Sequence, residues 1–319
     1  MLRFLIPLLV LFLQVPSSSA GAIPLVLPQG TTAILDHIYS GRLDLALPEA
    51  RQMQRQSPDQ PLGYLLEAEA LWWKIWCTSA EFKYGMTMLR HREKLAADQH
   101  YLDLTAKASA LAEAELKKHE SGEMHLYAGM AEALSSRLYG LRWENCLAAK
   151  TGVRAREHFV RALALDPTLA DANMGLGLYD YYVDTLSTMA RVLRFVMGIP
   201  GGSKTEGIEL LHRAIRDGQL TPSLARFYLA INLHNYEQRY EEALQIIGPL
   251  AEKYPQNPIF QLVKGDLYAK LGRKPQALAT YQAAAAARIP DEECQRKIDA
   301  LIRESLAAIG SMPGAASPK

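Results

Sequence analysis

Pro255–Pro290 reads PQNPIFQLVKGDLYAKLGRKPQALATYQAAAAARIP, and Ser223–Tyr254 before it reads SLARFYLAINLHNYEQRYEEALQIIGPLAEKY. In the later segment Gly265, Tyr268, Gly272, Ala277, Tyr281, Ala284 and Pro290 fall at intervals of 3, 4, 5, 4, 3 and 6. Ala243 lies 34 residues before Ala277, and Pro255 lies 35 before Pro290, so the two segments are copies of one unit. The unit is a pair of helices. Phe260, Val263, Leu267, Tyr268 and Leu271 follow three- and four-residue steps and share one face of a helix from about Pro258 to Leu271. Pro258 suits a first turn, and Gly272 ends the helix because glycine takes the left-handed cap without a Cβ penalty. A second helix runs from about Pro275 to Arg288. Gly265 and Ala277 lack bulk, which lets the two backbones approach, and Tyr281 fills the gap between neighbouring hairpins. One hairpin cannot bury its own apolar stripe, so such units stack.

A period near 34, with a small residue opening the second helix, an apolar or aromatic residue four later, Ala or Leu three after that and then Pro, resembles the tetratricopeptide repeat (TPR). The resemblance implies an all-α fold, a right-handed α-solenoid of TPR-like helix hairpins with insertions. It covers most of residues 31–290 and is clearest over 153–167 and 223–290. Ala155, Phe159, Ala162 and Pro167 repeat the pattern, and Ala46, Ala50, Met53 and Pro58 give a plausible first copy. The 62 residues from Ala46 to Ala108 predict extended helices and a longer connection over residues 75–100. The 47 residues from Ala108 to Ala155 predict an insertion around Tyr139–Thr151. The 52 residues from Ala155 to Gly207 predict a helical insert at 183–205, with the second helix restarting at Ser203. About five helix pairs follow, closed by a capping helix at Glu292–Ile309 and a disordered tail at 310–319. Gly175–Leu210 also resembles, over a short stretch, the tetratricopeptide repeat protein 39 family, which supports the insert and implies nothing about activity.

The chain has 319 residues, more than one globular core usually takes, but a solenoid grows without that limit. Lys plus Arg is 35 and Asp plus Glu 34, so no basic excess argues for nucleic acid. Residues 1–22 read as a secretory signal: Arg3, an apolar core from Phe4 to Val15, and small residues at Ser18–Ala22 for cleavage. The expectation is export, to a periplasm or outside the cell, with an uncleaved N-terminal membrane anchor as the alternative. Cys77, Cys146 and Cys294 lack zinc or redox spacing. An oxidising compartment permits one disulfide, Cys77 with Cys146 being one pairing, while burial as small hydrophobes is the simpler reading.

No catalytic or metal motif stands out. Gly198–Thr205 departs from a phosphate-binding loop, because Ser203 replaces the glycine before Lys204 and no strand precedes it. Ser203 and Glu206 have capping-box spacing instead. The eight histidines lack the spacing that places two ligands on one helix face. No cofactor is expected, and the chain reads as a non-enzyme. Trp72, Trp73 and Trp76 cannot all share one helix face, so at least one is expected on a groove or partner surface or under the following residues. Residues 185–197 form a helix apolar nearly all round, which reads as padding, a lid, or a partner, lipid or membrane-surface contact through Leu193 and Phe195.

The leading reading is an exported TPR-type scaffold or adaptor that binds a protein or peptide partner in its concave groove. Candidate groove residues are Tyr64, Trp72, Trp73, Trp76, Tyr127, Tyr179, Tyr228, Asn232 and Asn235, since aromatics bring contact area and Asn bonds an extended backbone in both directions. The alternative is a carrier of a hydrophobic small molecule or lipid. A closed apolar cavity favours the carrier, and an open polar groove the scaffold.

Overall fold

The computed structural model describes residues 25–79, 93–186, 194 and 198–311. Among them are thirteen α-helices and no strand: α1 Thr31–Tyr39, α2 Leu43–Gln56, α3 Leu62–Ser79, α4 Ala96–Leu116, α5 Gly122–Leu141, α6 Asn145–Leu165, α7 Ala172–Asp184, α8 Lys204–Asp217, α9 Pro222–Asn235, α10 Tyr240–Lys253, α11 Pro258–Lys270, α12 Lys274–Ala286 and α13 Glu292–Ser311. Each packs on its neighbours in sequence. They make six hairpins rather than about five, with α1 and α2 forming a full pair. The helix α13 caps the array with Ile298, Ile302 and Ile309 buried on one face. The expected signal at 1–22 and residues 312–319 lie outside the described residues, whereas Gly310 and Ser311 continue α13.

Four of the six hairpins share one turn. Gly41, Trp143, Gln238 and Gly272 each take a left-handed φ, of 79°, 64°, 55° and 71°. Each is followed by an N-cap residue, Arg42, Glu144, Arg239 or Arg273, with φ between −82° and −88° and ψ of 60° to 64°. The N–H of that residue returns to a carbonyl of the first helix, as in Arg42 to His37 at 2.8 Å and Arg273 to Tyr268 at 2.9 Å. A bulky Trp143 in this conformation carries a steric penalty that glycine avoids.

Small residues set the helix crossings. A Cβ at Gly265 would stand 2.5 Å from the Tyr281 ring, so the ring of α12 rests on bare backbone of α11. Phe159 of α6 does the same twice, against Gly129 of α5 and Gly175 of α7. Ser203 caps α8, its Oγ accepting from Glu206 N at 3.3 Å. Residues 187–193 and 195–197 of the expected insert lie outside the described residues.

The insertion expected near residues 139–151 is mostly helix. It lengthens α5 to Leu141 and starts α6 at Asn145, eight residues before the expected Val153. Likewise α4 begins at Ala96, not Leu104. No proline or capping residue stops these helices earlier, so the extra residues continue the helical ladder. A buried Asp98–Arg142 pair, at 2.6 and 2.7 Å, ties the start of α4 to the end of α5.

The array closes on itself. Tyr254, after α10, donates to Asp36 of α1 at 2.6 Å, and Asn257 donates to the Tyr39 carbonyl at 2.7 Å. Cys77 at the end of α3 is bonded to Cys294 of α13, 217 residues away. The pairing of Cys77 with Cys146 is therefore corrected: Cys146 is an exposed free thiol on the first turn of α6.

Candidate functional site

The axis of the solenoid is filled by α3. In its second half Lys74 is exposed and pairs with Asp291 at 3.2 Å, while Leu71, Trp72, Trp73, Ile75, Trp76 and Cys77 are buried. Trp73 meets the rings of Phe227, Trp76, Phe260 and Tyr39 at centroid distances of 5.1, 5.6, 5.9 and 6.1 Å. Trp73 Nε1 donates to Glu69 Oε1 at 3.1 Å, and Glu69 Oε2 accepts from Arg137 Nη2 of α5 at 2.6 Å. Arg137 also donates to the Tyr228 hydroxyl of α9 at 3.2 Å and lies 4.2 Å over the Trp72 ring. Burial opposes the charge on Arg137, but Glu69, with Tyr228 and Tyr101, outweighs it and raises the pKa of the guanidinium. Burial pushes the Tyr228 and Tyr101 hydroxyls up, so both stay neutral donors and acceptors.

This core absorbs most of the expected groove residues. Trp72, Trp73, Trp76, Tyr127, Tyr228 and Asn232 are all buried. Asn232 accepts from Tyr182 at 3.0 Å. Tyr64 and Tyr179 are half-buried and spend their hydroxyls on the carbonyls of Pro58 and Pro200. Asn235, also half-buried, bonds its neighbour His234 at 2.7 Å. Leu193 and Phe195 lie outside the described residues. Large aromatics at helical spacing fill cores as readily as grooves, and the sequence pattern does not separate the two.

An open cleft lies elsewhere, and the sequence reading missed it. It has a volume of about 590 Å³ and lies between α4 and α6, floored by α5. Gln99, Asp103, Ala106, Ser109 and Ala110 line one wall, Thr151 and Arg154 the other, with Glu132, Ser135 and Tyr139 below. The lengthened ends of the three helices build it, so the signal was the excess spacing before Ala155. Its charges are partly paired: Arg154 donates to Glu132 at 2.6 Å and Gln99 to Asp103 at 2.8 Å. A second hollow, against Ile38, Trp73, Ile289 and Cys294, measures about 20 Å³, room for about one water.

Among the described residues no group of three or more His, Cys, Asp or Glu is arranged to hold a metal ion. No helix among them is long and apolar enough to cross a membrane.

No family model matches the chain, and no curated protein matches it. Among solved structures the chain is similar to one described as the crystal structure of the P58(IPK) TPR domain, at 12% identity and a TM-score of 0.25, over 88% of this chain and 98% of that one. The chain's own repeated hairpins, with their shared left-handed turns and small residues at the crossings, make it an α-solenoid of TPR-like repeats.

Proposed function

We propose that the chain is an exported scaffold or adaptor that holds an extended segment of a protein or peptide partner in the cleft between α4 and α6. The observation that carries this is the cleft itself, which is open and lined by hydroxyl, amide and charged groups interspersed with Leu102, Ala106 and Ala110, whereas the second hollow has no room for a lipid or hydrophobic ligand. Gln99 to Ser109 spans about 15 Å along α4, enough for four or five residues of extended chain. Side-chain amides and hydroxyls along that wall bond a backbone without reading much sequence. A TPR-like fold suits the role, since stacked hairpins offer long surfaces. The cleft is preferred to the concave groove of the sequence reading because six of the groove's candidates, Trp72, Trp73, Trp76, Tyr127, Tyr228 and Asn232, are buried. Export is supported by the signal-like pattern at 1–22 and by the Cys77–Cys294 disulfide, which persists in oxidising compartments.

Ala106 and Ala110 are exposed on the α4 wall, so Ala106→Arg with Ala110→Arg fills the cleft without touching the core. Affinity capture from the protein's own envelope extract, with proteins and lipids identified by mass spectrometry, tests the reading. The wild type should enrich a protein that the double variant loses while melting like the wild type. Retention of that protein by the variant, or enrichment of lipid alone, overturns it. N-terminal sequencing of the native chain should begin near Gly21 or Ile23, and a start at Met1 or Leu2 removes the export proposal.

A further inference from the structure

Four side chains from consecutive elements stand in a row at one end of the α4–α6 wall. Glu120, between α4 and α5, has Oε1 3.2 Å from His125 Nε2 on α5. His125 Nδ1 faces His158 Nδ1 on α6 at 2.9 Å. His158 Nε2 lies 3.1 Å from Glu113 Oε1 on α4. The ring centroids are 5.2 Å apart, close to the most that a 2.9 Å nitrogen contact allows, so the two nitrogens point nearly head on. Both histidines are largely buried and both carboxylates are half exposed.

Protons can be counted along this row. It contains three contacts, and each needs one N–H. Two neutral imidazoles carry one N–H apiece. Whichever tautomers they take, at least one contact lacks a proton, leaving two nitrogen lone pairs, or a lone pair and a carboxylate, face to face. Three ring protons turn every contact into a hydrogen bond. Four set two N–H groups against each other at 2.9 Å.

We propose that His125 and His158 form a binding site for a single proton, shared along the Nδ1–Nδ1 axis, and that this proton clasps α5 to α6 and α6 to α4. Burial, with a further contribution from His125, lowers the pKa of His158 although Glu113 opposes them, so His158 is held neutral. His158 then accepts through Nδ1 and donates through Nε2 to Glu113. The other charged groups around the pair fit this balance. Arg161 of α6 donates to Glu120 at 2.6 Å and fixes its position. Glu157 of α6 and Glu132 of α5 favour positive charge at His158, and Arg154 neutralises part of Glu132. A tetrahedral zinc ion needs its nitrogen donors to converge on it at an angle, and these oppose each other.

The inference stands apart from the docking proposal, because its readout involves no partner. It concerns the end of the cleft away from the Asp98–Arg142 pair, so it sets the pH at which the α6 wall is locked. The test uses the full chain. Long-range proton–nitrogen NMR of the histidine rings, followed from about pH 8 to about pH 5, should show an interval with three ring N–H protons on the pair and His158 in its Nε2–H form. Urea melts over the same range compare the wild type with the double variant His125→Gln, His158→Gln. The wild-type advantage in folding constant should rise several-fold as pH falls towards about 6.5, where unfolded histidine titrates. It should fall again below that, since the unfolded chain takes a second proton that the native pair resists. Two rings that titrate independently, a stability difference that is flat with pH, or stoichiometric zinc uptake by the wild type that His125→Gln abolishes would each overturn the proposal. The NMR arm uses only the wild type, so it decides even if the double variant does not fold.

Discussion

Glu69→Leu tests whether the axis is a closed core. Glu69 and Arg137 are each 9% exposed and meet at 2.6 Å. Removing the carboxylate leaves the guanidinium buried over Trp72 with neutral tyrosine hydroxyls and no counter-charge from Glu69, and leaves Trp73 Nε1 without its acceptor. Breaking one side of a buried pair costs about 3–5 kcal/mol, because the remaining charge keeps its desolvation penalty. Replacing both partners by apolar residues of similar volume removes that penalty. Glu69→Leu with Arg137→Met should therefore cost much less than Glu69→Leu alone, a coupling of at least about 2 kcal/mol. Urea denaturation of the wild type, both single variants and the double variant completes the cycle, given a common slope with denaturant. An open concave groove predicts something else. There the pair would be wet, Glu69→Leu would cost at most about 1 kcal/mol, and the two changes would add. Either result refutes a sealed axis.

Gly175→Ala should destabilise by about 1–3 kcal/mol through overpacking, because the new Cβ would stand 1.9 Å from Phe159 Cε2; equal urea midpoints would show that Phe159 is not wedged there. Reducing Cys77–Cys294, whose partners are 217 residues apart, should lower stability by up to about 5 kcal/mol in the chain-entropy model, and Cys77→Ser should melt alike with and without reductant. Glu67 is 1% exposed and accepts from Arg51, Gln54 and His100. Burial pushes its pKa up, but the bonds from Gln54, Arg51 and His100 outweigh burial and hold it below the usual carboxylate value. Its contribution is thus present above the unfolded value, about 4.3, and lost as pH falls through the native one. Glu67→Gln should cost about 1.5–3 kcal/mol at neutral pH and progressively less in acid, and a cost independent of pH would contradict this.

The hairpins were legible where one residue type has one structural use. Gly265 and Ala277 sit at buried helix crossings where bulk is not accommodated, and the 34-residue echo of Ala277 in Ala243 marks the fold directly. The tryptophans were less legible. Trp72, Trp73 and Trp76 were read as placing at least one ring on a groove or partner surface or under the following residues, yet all three are buried, and α9, α11 and α13, which help to bury them, come more than 140 residues later. Local spacing carries no information about such closure. The disulfide was hidden for the same reason, since Cys294 meets Cys77 only when the array closes. The excess between Ala108 and Ala155 was seen and read as an insertion, but apart from the short turn at Arg142–Glu144 it is helix, and it lengthens α6 beside the cleft. The histidine row could not be read from intervals along one helix, because His125 and His158 lie 33 residues apart on different helices.

Closure changes what kind of object the repeat array is. In an open solenoid each hairpin touches only its neighbours, so stability is close to a sum of local terms. Here α3 is a neighbour to non-adjacent repeats, through Trp73 to Phe227 and Phe260 and through Cys77 to Cys294. The first helix is held by Asp36 and Tyr39 to the α10–α11 junction, 218 residues further on. These contacts use the inner face on which an open array would receive a partner. They make the chain one cooperative core, with the tryptophans of α3 taking the place of a ligand in the groove. The open cleft between α4, α5 and α6, three helices longer than those of the clear repeats, is not lined by the residues that make these contacts. The departures from the repeat, rather than the repeat, therefore carry the proposed binding surface.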